Sequence, residues 1–195
     1  ETHSITTDNE AGIATGWLPG QLSKEGRRLA RELGERRRND NLSAVFVSDL
    51  ARAAETATIA FAGSTINVNY DSRLRECDYG TFNGAPAAEL NRVRAQHIEL
   101  PFPGGQSYLD VIAETRDFLG DIARQFDGRR VCVVAHSANK WALDVLLLGK
   151  RIEDLVLALV FTLLAAPALL LFAIGVKLSS PGPVLYRQER VTWNG

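Results

Sequence analysis

The 195-residue sequence has no methionine, two cysteines and three histidines, and each scarcity excludes something. Cys77 and Cys132 stand alone, without CxxC or Cys/His spacing, so neither a zinc site nor a disulfide-stapled secreted fold is supported, and a reducing cytosol fits. No HxxH or HExxH pattern supplies a third ligand beside the histidines, so neither a metal nor any other cofactor is expected. There is no basic surplus, with 22 Lys+Arg against 23 Asp+Glu and a net charge of -1, so nucleic acid is not an expected partner. Without methionine, residue 1 is not expected to be a translation start, and the chain reads as a fragment or a processed piece. No signal peptide opens it.

What is present is an ordinary globular composition, 46% hydrophobic and 23% charged, divided unevenly along the chain. Only three of the 22 Lys+Arg (Lys177, Arg187, Arg190) and one of the 23 Asp+Glu (Glu189) lie beyond Asp154, so the first 154 residues carry -3 and the remainder +2. From Leu155 to Val176 there is no charge, and Thr162 is the sole polar side chain. As one helix this stretch would measure about 33 Å, close to a bilayer's hydrocarbon core of about 30 Å.

The charged part alternates short apolar runs with amphipathic stretches, the pattern of an α/β domain with a mostly parallel sheet between helical layers. Strands are predicted at Ala44 to Val47, Ile66 to Asn69 and, most strongly, Val131 to Ala135. Ser23 predicts an N-cap for a helix through Arg38 that turns Leu22, Leu29, Ala30 and Leu33 inward. Ser107 with Asp110 resembles a capping box opening a helix to about Phe126. Further helices are predicted from Leu50 to Phe61 and from Ala138 to Leu148. Ligands of open α/β sheets bind beyond the carboxyl ends of strands. His136 sits there after one strand and Ser48 to Arg52 after another, so both point at one crevice.

His3 and His136 lie beside small polar residues at strand ends. A histidine pair without a third metal ligand suggests phosphoryl chemistry, which needs a nucleophile, groups around three phosphate oxygens and a proton donor for the leaving group. Arg52 and Glu76 supply the remaining types. A structural histidine at a strand end is the plainer reading, weakened by several matching positions in order.

Those positions resemble the histidine phosphatase (phosphoglycerate mutase-like) superfamily. Thr2-His3-Ser4-Ile5-Thr6-Thr7-Asp8-Asn9 is similar to its opening Arg-His-Gly-Glu-Thr-x-x-Asn, and Gly12, Gly16, Leu22, Ser23 and Gly26 follow at family spacing. A rival register sets Glu1-Thr2 on the family's Glu-Thr but loses Asn9 and the glycines; the His3 register is preferred. Ser48-Asp49-Leu50-Ala51-Arg52-Ala53-Ala54-Glu55-Thr56-Ala57 resembles the phosphate-binding arginine segment, and Leu74-Arg75-Glu76-Cys77-Asp78-Tyr79-Gly80 the segment of the acidic proton donor. Pro103-Gly104-Gly105-Gln106-Ser107 and Val133-Val134-Ala135-His136-Ser137 complete the series. The resemblance implies a three-layer α/β/α fold and a phosphohistidine intermediate on His3, with Glu76 protonating the leaving oxygen and Arg52, Asn9 and His136 holding phosphate oxygens of a small phosphorylated substrate. Three departures stand out: Thr2 replaces an arginine that helps bind phosphate, Gln106 replaces glutamate, and Ser137 stands where glycine is usual. Only two residues precede His3, so the strand that should carry it is expected to be truncated. Arg36-Arg37-Arg38, His97, Trp17, Trp141, Glu55 and Glu114 are read as surface or packing residues, His97 as exposed.

The end of the chain resembles a second family. Lys150 to Pro167 and Lys177-Leu178-Ser179-Ser180-Pro181-Gly182-Pro183-Val184-Leu185-Tyr186-Arg187-Gln188-Glu189-Arg190-Val191 are similar to the start of bacterial sugar transferases, which move a sugar phosphate to a polyprenyl phosphate. The resemblance implies a helix broken near Pro167, re-entrant from the cytoplasmic face of a bacterial inner membrane, with Leu155 to Val176 in membrane lipid. A plain spanning helix or a long buried core helix are the alternatives. The transferase's acidic catalytic pair would lie beyond Gly195. The expected organisation is a phosphatase-like domain over 1–150 and a transferase membrane-anchor piece over 151–195. The rival functional reading is a transferase fragment whose phosphatase-like part is idle, and a third is a join produced by sequence assembly.

Overall fold

Apolar runs flanked by turn residues place the strands, and the residues between them wrap both sheet faces with helices. The computed structural model describes the backbone of residues 1–179, and their side chains except at positions 159, 160, 163, 164, 169, 176 and 178. In chain order the elements are α1 (Thr7–Glu10), β1 (Ile13–Ala14), α2 (Lys24–Arg37), β2 (Ala44–Val47), α3 (Ala51–Ala60) and β3 (Val68–Tyr70). Then follow β4 (Ala85–Pro86), α4 (Ala87–Val93), α5 (Tyr108–Gln125), β5 (Val131–Val134), α6 (Ser137–Leu148) and α7 (Ile152–Ser179), with short 3-10 turns between β3 and α5.

The main sheet has the order β3-β2-β5, all parallel, with Val45 opposite both Val68 and Cys132. Every residue of β2 is buried, and its period of two sends alternate side chains to opposite layers. Ala44 and Phe46 pack with Leu74 and Phe118, the last of these on α5, whereas Val45 and Val47 pack with Ala57 of α3 and with Cys132 and Val134. Phe46 meets Phe118 and Phe126 edge-on at 5.5 and 5.4 Å, an arrangement that adds about 0.5–1.5 kcal/mol per pair beyond area burial. The result is the expected three-layer α/β/α arrangement.

The first residues pair only briefly with the sheet. Thr2 forms a parallel bridge with Ala135 beyond the edge of β5. His3 N–H donates to the Ala135 carbonyl at 2.9 Å, and Ala135 N–H to the Glu1 carbonyl at 3.0 Å. These few bonds are enough to bring His3 to the carboxyl end of the sheet.

The predicted caps set the helix starts. Ser23 Oγ accepts from Gly26 N–H at 3.1 Å ahead of α2, and Ser107 and Asp110 form a reciprocal capping box ahead of α5. The strand predicted at Ile66 to Asn69 forms as Val68–Tyr70, starting two residues later and ending one later. Sequence periodicity did not signal α1, α4 or the two-residue antiparallel pair β1–β4, because elements this short hold at most about two repeats, too few to stand out as a period.

The chain divides into a compact unit, Glu1–Val156, and a second unit beginning at Leu157. Within the first unit Ile152 and Val156 are buried in a core cluster with Ala138 and Ala142. The break expected near Pro167 is not observed: α7 contains Pro167 as an internal residue. Proline removes one hydrogen bond and strains the preceding turn, and the turns on either side carry the helix through. On α7 the side chains of Leu157, Phe161, Leu170, Leu171, Phe172 and Ile174 are exposed. Among the described residues no helix is long and apolar enough to cross a membrane. The run from Ser180 to Val191 lies outside the described residues.

Candidate active site

His3 leaves the sheet edge beside Ala135, and its backbone continues into Ser4, whose N–H donates to Thr56 Oγ1 on α3 at 3.0 Å. The His3 ring places Nδ1 2.7 Å from the Ser4 carbonyl. A carbonyl only accepts, so Nδ1 carries the proton and Nε2 the lone pair. That lone pair faces Arg52, whose Nε donates to it at 3.3 Å. Burial, and then the Arg52 charge, push the His3 pKa down to about 4 against the opposing bond to Ser4, so the ring is a neutral base near pH 7.

Arg52 sits in the first turn of α3 and is only 2% exposed. Its Nη2 and Nη1 donate to the carbonyls of Gly16 and Leu18 at 2.7 and 3.2 Å. These are neutral partners, and burial lowers its pKa against the pull of Glu76, Tyr79 and Asp8. A buried cation held by carbonyls rather than by a carboxylate leaves positive potential for an incoming anion.

His136 follows β5 and is buried, its ring centroid 5.0 Å from that of His3. Its Nε2 lies 2.9 Å from Ser48 Oγ at the end of β2, where the hydroxyl can donate to it while the oxygen accepts from Leu50 N–H. Its Nδ1 has no partner among the described residues. Burial, and then the charges of Arg52 and His3, hold its pKa well below the ordinary histidine value.

Glu76 is buried, with Oε1 accepting from Cys77 N–H at 3.0 Å and from Ala138 N–H, in the first turn of α6, at 3.2 Å. The Trp17 Nε1 donates to the Glu76 carbonyl at 2.6 Å, fixing the backbone as well. Asn9 spends its Oδ1 on Thr6 N–H and its own N–H on Thr6 Oγ1, a capping box that leaves its amide nitrogen without a partner among the described residues. His3, Asn9, Arg52 and Glu76 line one cleft of about 140 Å³, together with Tyr79 and Arg94. A larger cleft of about 440 Å³, bordered by Arg31, Glu35, Phe61 and Ile66, holds none of these groups, so size alone does not mark the site.

Thus the five residues singled out from the sequence converge, four lining the cleft and His136 beside His3. Sequence reasoning missed Ser48 as the partner of His136, although it stood inside the quoted motif, and Arg94, for which no motif gave a signal. Gln106 is structural: its Oε1 accepts from Asp78 N–H and its Nε2 donates to Glu114. The loop glycines nearby are required by close approach, since a Cβ on Gly80, which has φ +54°, would lie 2.1 Å from the Pro103 carbonyl oxygen. His97, read as exposed, is half-buried and stacks on Phe102 at 4.0 Å between centroids, because the chain turns at Arg94 to His97 instead of continuing α4. Among the described residues no three His, Cys, Asp or Glu side chains converge as a metal site.

Comparison with known proteins matches this arrangement to one family over most of the chain and to a second at its end. The bacterial sugar transferase family matches residues 145–195. There, 46 residues are 54% identical to the UDP-glucose:undecaprenyl-phosphate glucose-1-phosphate transferase of Escherichia coli, covering 24% of this chain and 10% of that protein. Phosphoserine phosphatase 1 of Hydrogenobacter thermophilus is 26% identical over 155 residues, covering 75% of this chain and 74% of the relative. A mycobacterial glucosyl-3-phosphoglycerate phosphatase, solved with VO3, superposes with a TM-score of 0.71 at 27% identity, covering 80% of this chain and 83% of that one. The histidine phosphatase superfamily (branch 1) matches residues 3–158, and the chain belongs to that superfamily.

Proposed function

We propose that the first unit hydrolyses small phosphomonoesters through a phosphohistidine on His3. One observation carries this reading: His3 presents an unprotonated Nε2 to a cleft where Arg52 supplies a buried positive charge. In the first step Nε2 attacks phosphorus, the phosphorus–oxygen ester bond breaks, and the carboxylic acid form of Glu76 gives its proton to the departing alcohol oxygen. In the second step a water attacks phosphorus, Glu76 takes its proton back, and the phosphorus–nitrogen bond breaks to release phosphate and neutral His3. Arg52, the Asn9 amide and the unpartnered Nδ1 of His136 offer donors to the equatorial oxygens, where charge spreads in the transition state. Two relatives named as phosphatases of phosphoserine and of glucosyl-3-phosphoglycerate support a small phosphorylated substrate. Release of inorganic phosphate by the full chain, and its loss in His3→Gln, tests the reading.

The domain assignment we propose is a phosphatase domain over 1–150 joined to the opening segment of a sugar transferase over 151–195. The transferase match and the exposed apolar side chains of α7 from Leu157 onward support lipid contact within the stretch Leu155 to Val176, at the cytoplasmic face of a bacterial inner membrane. Flotation of the full chain with phospholipid vesicles, compared with a chain ending at Val156, tests the contact. A second reading, an idle phosphatase-like part attached to a transferase fragment, is favoured by one observation: Thr2 supplies no cation where the family has arginine. Absence of turnover by the folded chain would select it.

A further inference from the structure

Thr56 lies one helical turn after Arg52 on α3, on the same face, and is fully buried. Its hydroxyl joins α3 to the segment that carries His3. It donates to the Arg52 carbonyl at 2.7 Å, and its oxygen accepts from Ser4 N–H at 3.0 Å. The first bond is the ordinary back-bond of a helical threonine, and it holds the oxygen in one orientation. The second spans 52 positions of the chain. His3 N–H still bonds the Ala135 carbonyl beside the sheet, but Ser4 N–H is received by the threonine oxygen instead of a strand partner. One residue further on, the Ile5 carbonyl accepts from Ser23 N–H at 3.0 Å. Ser4 is thus tied on both sides, and its own carbonyl, between the two ties, faces His3 Nδ1 at 2.7 Å.

Two contacts aim the His3 ring, and they act differently. The donor from Arg52 admits only a lone pair on Nε2, which selects the protonation of the ring. The bond from Nδ1 to the Ser4 carbonyl fixes the rotation of the ring, and with it the direction of that lone pair. In-line attack on phosphorus tolerates little misplacement, since an error of about 1 Å can cost on the order of a hundredfold in rate. The aim of the nucleophile therefore depends on where the Ser4 carbonyl sits. Without the Thr56 hydroxyl, Ser4 N–H loses its partner in a part-buried position. Leaving such a donor unpaired is costly, so the segment shifts to find another acceptor and takes the carbonyl with it.

We infer that Thr56 is a positioning residue for the nucleophile: its hydroxyl clamps the Ser4 backbone to the Arg52 turn of α3, so that one helix face holds both the His3 ring and the guanidinium opposite it. This rests on the phosphatase reading and deepens it.

The test compares the full chain with Thr56→Val, which keeps the shape and removes the hydroxyl, and with Thr56→Ser, which keeps the hydroxyl and removes the methyl group. In Thr56→Val, kcat and kcat/KM for p-nitrophenyl phosphate fall together by about ten- to a hundredfold, as expected for a loss felt only in the transition state. Thr56→Ser restores both towards wild type. A second readout needs no turnover. In chains labelled with ¹⁵N-histidine, with His3→Gln identifying the signals, the His3 Nδ1–H proton is protected from solvent exchange in wild type and Thr56→Ser and exchanges faster in Thr56→Val. Should Thr56→Val not fold, Thr56→Cys replaces it, because a thiol of similar size is a weak donor and acceptor and lowers both readouts in the same direction. Wild-type rates and protection in the hydroxyl-free variant, or equal losses in it and in Thr56→Ser, overturn the inference while leaving the phosphatase reading intact. No turnover by the folded wild-type chain overturns the phosphatase reading, and the exchange comparison then decides by itself whether Thr56 orients the ring.

Discussion

Arg52 donates from Nε to the Nε2 of His3 at 3.3 Å while its other nitrogens are tied to the carbonyls of Gly16 and Leu18. A guanidinium cannot accept a proton, so the facing nitrogen of His3 must present a lone pair. The same contact that suppresses protonation of the ring also places a positive charge where phosphate oxygens would gather. Nucleophile and anion site are thereby set by one pair of side chains.

The first prediction is an unusually acid-tolerant rate profile. With the His3 pKa held at about 4, the acid limb of kcat/KM should fall near pH 4 rather than near the ordinary histidine value of about 6.5. An acid limb near 6.5 would show that His3 is not the neutral base. Stability changes in the same window. The folded chain binds fewer protons than the unfolded chain between about pH 6.5 and 4, so stability contributed by neutral His3 is present above that range and is lost as pH falls through it. Denaturant midpoints at pH 7.5 and 4.5 measure the loss.

Glu76 gives the second. In the proposed mechanism its acid form protonates the leaving oxygen, so Glu76→Gln should lower kcat for an alkyl phosphate by about 10²- to 10⁴-fold. p-Nitrophenol leaves without assistance, and its phosphate should suffer a much smaller drop in the first step. Equal losses for both substrates in a burst experiment would remove Glu76 from the role of acid.

Much of this arrangement could be read from the residues, and the limits are physical. Ala44 to Val47 and the caps Ser23 and Ser107 were legible because burial period and capping chemistry are local. His3, Arg52 and His136 were placed at one crevice because strand ends in a parallel sheet face the same way. Ser48 and Arg94 were not assigned because their roles depend on contacts with residues 88 positions away, in the case of Ser48 with His136, or on a turn that ends α4. Pro167 was expected to break α7, but a single proline removes only one backbone hydrogen bond.

A third prediction concerns the segment that carries His3 towards α1. A Cβ on Gly26 would lie 1.9 Å from the Ile5 carbonyl oxygen, and that carbonyl accepts from Ser23 N–H at 3.0 Å. Gly26→Ala must displace this strap or the start of α2, and should destabilise the first unit by about 2–4 kcal/mol, the upper range for overpacking and backbone displacement. Thermal unfolding followed by circular dichroism measures it, and an unchanged midpoint would show that the strap is free to move.

Whether His3 itself carries the phosphoryl group can be measured by trapping. The full chain is mixed with a ³²P-labelled phosphomonoester, quenched rapidly in alkali, which preserves phosphohistidine, and the protein-bound label is counted for wild type and His3→Gln. Label on the wild type that is acid-labile and absent from His3→Gln is the predicted result. Label retained in His3→Gln, or turnover by wild type without any trapped label, would contradict a phosphohistidine at residue 3.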